Sequence, residues 1–270
     1  MPQHMSNITR LFWTGGWDST YRLLVLLLIE KKKVQPIYVI DPNRNSVAYE
    51  LKAMQKIKKL LKENYPVERE LLLTTQFYEL NDIEPNDNIS SAFNRLLERY
   101  PTLGSQNEWL ARMATQYKIH NMEMGLQKST GANFLAIKNL IKKSNSNGQT
   151  LVKIADDLKS TDEYYVFGNF SFPLFNITKS GMLKNATTWG FNNLMDNTWF
   201  CHQPLSSGKP CGVCVPCGGI VRDKMSFRMP WISRIRYHFR LFLSKDQFKK
   251  AYPGIYEYMR KTKNRFVTKK

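Results

Sequence analysis

The sequence predicts an α/β fold built on a five-stranded parallel sheet. Three observations carry this. The apolar run Arg10 to Thr14 ends in a Gly-Gly turn and leads directly into an apolar-faced helical pattern. Strand and helix patterns then alternate, which demands crossover connections and hence a parallel sheet with right-handed crossovers. The longest wholly apolar run, Leu23 to Ile29, is seven residues, where a membrane span needs about 20.

Arg10 to Thr14 is the first expected strand and Asp18 to Glu30 the first helix. Val34 to Ile40, rich in β-branched and aromatic residues, is the second strand. Val47, Leu51, Met54, Ile57 and Leu61 recur at helical spacing with Lys52, Lys56, Lys59 and Lys62 on the other face, so an amphipathic helix follows. Val67 to Leu73 is expected to be the third strand. Asn81 to Ser90 is polar, contains Pro85 and is expected to be a loop. Ser91 to Tyr100 and Asn107 to Tyr117 are expected helices, and Asn121 to Met124 a fourth strand ending at Gly125. Phe134 to Lys143 reads as a helix, Ser144 to Gly148 as a turn, Tyr164 to Asn169 as the fifth strand and Lys179 to Gly190 as the last helix before a run of cysteines.

Composition bounds the function. The 270 residues are 42% hydrophobic and 23% charged, which is globular and not disordered. The net charge of +18 points to a polyanionic partner or an anionic substrate. It is unevenly placed. From Val221 to Lys270 there are 15 Lys and Arg against 3 acidic residues, whereas the first 220 residues hold 25 against 19. Two regions are therefore expected: residues 1–220, with the cysteines at 201–217, and a basic, aromatic-rich helical extension at 221–270. In the extension, Ile232, Ile235, Phe239 and Phe242 fall at helical spacing with Arg234, Arg236 and Arg240 interspersed; Phe248, Tyr252, Ile255 and Met259 form a second stripe. Two readings stay open: a nucleic-acid surface in which arginines meet phosphates and rings stack on bases, or helices that dock their aromatics on a core. No signal-peptide pattern opens the chain, and its cysteine use suits a reducing compartment, so a cytoplasmic location is expected, with no membrane partner.

The sharpest local signal is Thr14-Gly15-Gly16-Trp17-Asp18-Ser19-Thr20, between the first strand and the first helix. Two glycines let the backbone approach a ligand and point several N–H groups into one concavity, and the helix N-terminus adds positive potential. The hydroxyls of Ser19 and Thr20 can donate to phosphate oxygens. Asp18 either holds a magnesium ion, orients the loop or serves as a plain cap. The loop is neither a Walker loop nor a G-x-G-x-x-G fingerprint. Asp41, at the carboxyl end of the second strand, is a ligand contact or merely a turn acid before Pro42.

Cys201, Cys211, Cys214 and Cys217 read C-x9-C-x2-C-x2-C. Four thiolates at this spacing suit a closed tetrahedral structural zinc; two disulfides or an iron–sulfur cluster are the alternatives. The histidines, at 4, 120, 202 and 238, are too scattered for a triad, though His202 is placed to be a spare ligand.

The glycine loop resembles the PP-loop, the S-G-G-x-D-S signature of enzymes that split ATP into AMP and pyrophosphate, with Thr14 in the first position. Together with the cysteine pattern it resembles 7-cyano-7-deazaguanine synthase, patchily from about residue 10 to 223. Tyr38 to Ala53, with Asp41, Arg44 and Glu50, Phe172 to Gly190, with Lys179, and Trp199 to Arg222 are similar to further parts of that family. The resemblance implies an adenine-nucleotide α-hydrolase-like sheet with helices on both faces and an AMP-forming carbon–nitrogen ligase. The chemistry it implies is adenylation of a carboxylate by ATP, release of pyrophosphate, attack by ammonia, and dehydration of an amide to a nitrile. Thr14, Gly15, Gly16, Trp17, Asp18, Ser19, Thr20 and Asp41 would hold ATP with Mg2+, and Asp18 and Lys179 would act in catalysis. The implied substrates are 7-carboxy-7-deazaguanine or a related deazapurine acid and ammonia.

Three departures put the substrate in doubt. Pro101 to Glu108 reads PTLGSQNE, without the family's arginine; Gly125 to Thr130 reads GLQKST, with no Asp-Cys-Arg type loop after it; and Gly181 stands where a glutamate is expected. Divergent relatives occur in antiphage defence, and the resemblance also implies attachment of a deazaguanine to a macromolecule as an alternative activity. A zinc-containing nucleic-acid binder that does not turn over ATP is the non-enzymatic alternative. A nucleic acid or an acidic protein is the expected partner of the basic extension, and a homodimer is left open.

Overall fold

A computed structural model describes residues 8–146, 149–243 and 245–257. His4, Met259 and the last turn of the expected Ser144–Gly148 segment lie outside them. Two compact units divide the chain, Met1–Trp199 and Phe200–Lys270. The expected boundary after residue 220 lies inside the second.

In the first unit, β1 (Thr9–Phe12) leads into α1 (Trp17–Leu24), which continues as a π-turn over Val25–Ile29. Then follow β2 (Val34–Ile40), α2 (Val47–Asn64), the single turn α3 (Pro66–Arg69), β3 (Gln76–Glu79), α4 (Asp87–Arg99) and α5 (Gln106–Gln116). The chain continues through β4 (Met122–Glu123), α6 (Ala132–Ile137), β5 (Ile141–Ser146), β6 (Gln149–Ile154), α7 (Asp162–Phe167), β7 (Phe170–Ser171), α8 (Lys179–Thr188) and α9 (Asn192–Met195). Five strands make one sheet in the order β3-β2-β1-β4-β7, every neighbouring pair parallel. β5 and β6 form a separate antiparallel pair.

Strand alternation explains why both faces are covered. Phe12, Ile37, Val39, Met122 and Phe170 share a core with Phe93 and Leu96 of α4, Leu110 and Met113 of α5, and Val166 and Phe167 of α7. The alternate residues Leu11, Trp13 and Tyr38, all but inaccessible, point the other way, where Trp13 Nε1 donates to Thr20 of α1 and Tyr38 Oη to Glu50 of α2.

Three sequence expectations are corrected. Val67 to Leu73 is not the third strand. Pro66 opens a helical turn, as proline at a first helical position does, and only Leu72 bridges, in parallel, to Val34. The third strand is the later, largely exposed Gln76–Glu79. Tyr164 to Asn169 is the end of helix α7, begun by Thr161, whose hydroxyl accepts from Tyr164 N; the fifth sheet strand is Phe170–Ser171. The expected helix Phe134 to Lys143 stops early, and Ile141–Ser146 pairs as a hairpin strand.

In the second unit, α10 (Val215–Arg222), α11 (Trp231–Leu243) and α12 (Lys245–Ala251) follow the cysteine-bearing loop.

Candidate functional site

The sheet order reverses between β1 and β4: β2 and β3 lie on one side of β1, β4 and β7 on the other. Loops at the carboxyl ends of such strands form the crevice in which open α/β sheets bind ligands. The glycine loop, the Asp41–Ser46 turn, the Gly125–Gly131 loop and the segment before α8 all start from this edge.

The glycine loop fits its place only with glycine. Gly15 has φ +67°, and a Cβ there would stand 2.9 Å from the Glu50 carbonyl oxygen and 3.0 Å from Met54 Cγ. Its own carbonyl accepts from Trp199 N at 2.9 Å, and the Trp199 ring stacks on Tyr49 of α2, centroids 4.8 Å apart. Gly16 is extended and is the N-cap of α1, and as a glycine it makes no side-chain cap hydrogen bond. The N-terminus of the helix carries positive potential that suits an anion. Ser19 Oγ makes only long contacts, 3.4 Å to Thr14 N, 3.5 Å to Thr14 Oγ1 and 3.5 Å to Gly16 O. Such lengths lie at the weak end of hydrogen bonding, so a phosphate oxygen would compete for the hydroxyl.

Two loop residues are placed otherwise than expected. Thr20 is fully buried and its hydroxyl accepts from Trp13 Nε1 at 2.9 Å; it braces the helix against β1 and does not face an anion. The Trp17 side chain is 5% exposed and leaves only its backbone for a ligand. Asp18 is the second residue of α1, in its acidic first turn.

The floor of the loop was invisible in sequence. Gly125, just past β4, lies against the first turn of α1: a Cβ there would meet Ser19 N at 3.0 Å and Asp18 Cβ at 3.1 Å. The stretch that departs from the resembled family, Gly125 to Thr130, is therefore the glycine loop's neighbour. One turn along α1, Arg22 makes a two-pronged pair with Glu123 of β4, Nε–Oε2 2.6 Å and Nη2–Oε1 2.9 Å, and a third contact to Glu30. Arg22 and Glu123 are each 8% exposed. Burial works against the charge on Arg22, yet Glu123 and Glu30 hold it protonated beyond the ordinary arginine range. Burial alone would raise the Glu30 carboxyl, but Arg22 and Lys32 bring it below its usual value. No spacing rule links residues 101 positions apart.

A second network fixes the β2 edge. Glu50 accepts from Tyr38 Oη at 2.9 Å and Ser46 Oγ at 2.7 Å, and pairs with Arg44 at 3.2 Å. Burial, then the Glu50 carboxylate, pushes the Tyr38 phenol well up, so it remains a donor. Asp41 accepts from Asn43 N at 3.0 Å, closing the turn between β2 and α2. Lys179 opens α8 behind the cap Thr178, whose hydroxyl accepts from Gly181 N at 3.2 Å. α8 packs on α1, where Asn185 Nδ2 donates to Tyr21 Oη at 2.9 Å.

In the second unit the four sulfurs of Cys201, Cys211, Cys214 and Cys217 all lie within 4.8 Å of one another and can hold a metal. They form no disulfide. His202 is not among the grouped donors. Cys214 N and Val213 N each donate to Cys211 Sγ at 3.3 Å, and Cys211 N to Cys201 Sγ at 3.1 Å. Hydrogen bonding to Cys214 pushes the Cys201 thiol up to about 12, and Cys217 is raised further by Cys201 and Cys214. Hydrogen bonding with Cys201 and Cys217 holds Cys214 low. Gly212 turns the knuckle at φ +80°, with room for no Cβ: one would stand 2.2 Å from the Ser233 carbonyl oxygen. α11 clasps the knuckle with its polar side. Ser233 Oγ donates to Pro210 O at 2.6 Å, Arg236 Nε to Cys211 O at 2.9 Å, and Arg240 to Val213 O. Two arginines expected to meet an outside anion are thus engaged within the unit.

Neither a family model nor a curated protein matches the chain. Among solved structures, it is similar to a U34-tRNA thiolase, NcsA, from Methanococcus maripaludis, solved with its 4Fe-4S cluster. The identity is 13%, the TM-score 0.41, and the match covers 88% of this chain and 73% of that one.

Proposed function

We propose that the protein is an ATP-dependent, AMP-forming ligase that adenylates a carboxylate, with 7-carboxy-7-deazaguanine or a related deazapurine acid as the acyl substrate and ammonia as the amine. The observation that carries this reading is the glycine loop itself: a Gly-Gly turn at the β1–β4 switch point that feeds a helix N-capped by a glycine. A tri- or pyrophosphate is the anion such a turn suits, since several N–H groups converge and the helix end adds positive potential.

The reaction transfers the α-phosphorus of ATP to a carboxylate oxygen. The bond from that phosphorus to the bridging oxygen breaks, and pyrophosphate leaves. Ammonia then attacks the acyl carbon, AMP leaves and an amide forms; loss of water from the amide gives the nitrile. Backbone N–H groups of Gly15 to Ser19 and the hydroxyls of Thr14 and Ser19 stabilise the departing pyrophosphate. Stabilising charge where it develops is the largest catalytic lever. Lys179, at the start of α8, is assigned to the phosphate or acyl-adenylate charge. Mg2+, with Asp18 as its protein ligand, would neutralise the phosphate oxygens when bound.

The metal assigned to the cysteines is one Zn2+. Four sulfurs about 2.3 Å from a tetrahedral centre stand about 3.8 Å apart. Cys201–Cys214 at 3.8 Å, Cys211–Cys217 at 3.9 Å and Cys214–Cys217 at 3.4 Å fit that figure. A four-iron cluster would spread its ligands further, since each thiolate binds a different iron. With four protein ligands the site is closed and structural.

Incubation with Mg-ATP and ammonium, with and without the deazaguanine acid, tests the assignment by separating AMP from ADP. AMP that depends on the acid and disappears in Asp18→Ala is the expected result. Acid-independent AMP would redirect the search to another carboxylate, and absence of AMP from a folded, metal-loaded protein would overturn the reading.

A further inference from the structure

α11 is built inside out. Successive residues turn about 100° on a helix, which puts Trp231, Ile235, Phe239 and Phe242 in one sector. Their side chains are 66%, 52%, 61% and 54% exposed. On the opposite side Ser233 is fully buried, and Ser233, Arg236 and Arg240 grip the carbonyls of Pro210, Cys211 and Val213. Surface helices ordinarily point their apolar side at the core. Here the polar grip on the knuckle fixes the rotation of the helix, so the apolar ridge is held outward.

The ridge exposes on the order of 500 Å2, judged from the area of aromatic side chains. That is as large as the largest apolar patches on monomeric proteins, and such patches mark interaction sites.

We propose that this ridge, with the basic segment that carries it, seats the protein on an anionic lipid surface. A helix with Trp and Phe on one face and cations along its flanks is the form that lies in a bilayer interface. The charge is of the matching sign: 15 Lys and Arg against 3 acidic residues from Val221 to Lys270. It is spread along the segment, with Arg234, Lys249 and Lys250 exposed, as suits a diffuse anionic surface. No helix among the described residues is long and apolar enough to cross a membrane, so the association is peripheral.

Two other occupants fit less well. A nucleic acid would need cations among the rings, whereas Arg236 and Arg240 are turned toward the knuckle, and Ile235 offers no flat face to a base. A second copy would bring two strongly positive segments together over an area short of the roughly 800 Å2 per partner of a standard interface.

The inference is independent of the nucleotide reading and is tested apart from it. The full metal-loaded chain is sedimented with phosphatidylcholine vesicles, with and without phosphatidylserine. The comparison protein carries Trp231→Ser, Phe239→Ser and Phe242→Ser; all three side chains are exposed, and metal content and circular dichroism check its fold. The expected result is binding that needs phosphatidylserine, weakens with salt, and falls at least about tenfold in the triple variant. The wild-type tryptophan emission should shift to the blue on binding, with the shift reduced in Trp231→Ser alone. Failure to bind, or binding that the triple variant retains in full, overturns the proposal. So does ridge-dependent binding of single-stranded RNA with none to vesicles, or a dimer that the triple variant dissolves.

Discussion

The two units hold themselves together by different means. The glycine-loop unit buries large side chains on both faces of a parallel sheet, from Leu11 and Trp13 on one side to Phe167, Phe170 and Phe172 on the other. The cysteine unit buries little beyond Cys201, Cys211, Cys217, Ile220, Met225, Met229 and Ser233. It relies instead on a sulfur cluster and on a helix gripping carbonyls. Small domains that cannot bury enough apolar surface usually need a metal or a disulfide. The difference teaches where each unit is brittle: the first through its buried charges and glycines, the second through its four cysteines.

The largest effect should come from breaking the cysteine cluster. Structural zinc contributes about 10–16 kcal/mol of folding free energy in small metal-dependent domains. Cys217→Ser or a strong chelator should release one zinc per chain and melt the helical signal of residues 200–257, while the sheet unit keeps its own thermal transition. Calorimetry with metal analysis checks this; a single transition lost as a whole would erase the distinction between the units.

Next comes Arg22→Leu, which leaves Glu123 buried and uncompensated. Removing one partner of such a pair costs about 3–5 kcal/mol, read as a lower urea midpoint of the sheet unit with zinc retained. Arg22 also sets an acid response through Glu30. Glu30, held low in the folded chain, adds stability above its unfolded pKa of about 4.3, and that stability is lost as pH falls through the lower folded value. The acid limb of a pH-stability profile should flatten in Arg22→Leu.

A smaller effect is expected at the turns. Gly15→Ala forces a side chain into a left-handed conformation and toward the Glu50 carbonyl, at a cost of about 1–3 kcal/mol. AMP formation should fall by far more than stability does, because the loop's N–H groups lose their aim. The smallest is Ser233→Ala, which removes one neutral hydrogen bond to the Pro210 carbonyl, worth about 0.5–1.5 kcal/mol. It should appear as faster zinc loss to a chelator with no change in AMP formation.

Much of the fold was legible because its signals are local. Val34–Ile40 is a buried interior strand and reads as a mostly apolar, β-branched run broken only by Gln35 and Pro36; α2 shows its apolar stripe and lysine face; the glycine loop announces itself by composition. The failures share a cause. β3 is a four-residue edge strand whose Gln76, Phe77 and Glu79 are all exposed, so its pairing to β2 leaves no alternating apolar pattern, whereas Leu71 to Leu73 is a continuous apolar run. Tyr164 to Phe167 is short, aromatic and β-branched, and periodicity alone cannot separate helix from strand over so few residues. The Asn-Gly pair at 147–148 is a hairpin signal in the sequence, and the strands on either side of it pair as β5 and β6. At the site, the loop and the cysteines could be read from spacing, but Gly125, Trp199 and the Arg22–Glu123 pair join it only through the folded chain. The exposure of the α11 ridge runs against the ordinary rule for amphipathic helices, because the knuckle offers carbonyls and not an apolar surface.

The Trp199–Gly15 bond has an optical consequence. The amide that holds the glycine loop belongs to an indole stacked on Tyr49, so any anion that shifts Gly15 also disturbs that stack. With the tryptophans at 13, 17, 109, 189 and 231 replaced by phenylalanine, the remaining fluorophore would report loop occupancy directly. Nucleotide titration could then be followed by emission in real time, with no label attached and no turnover required.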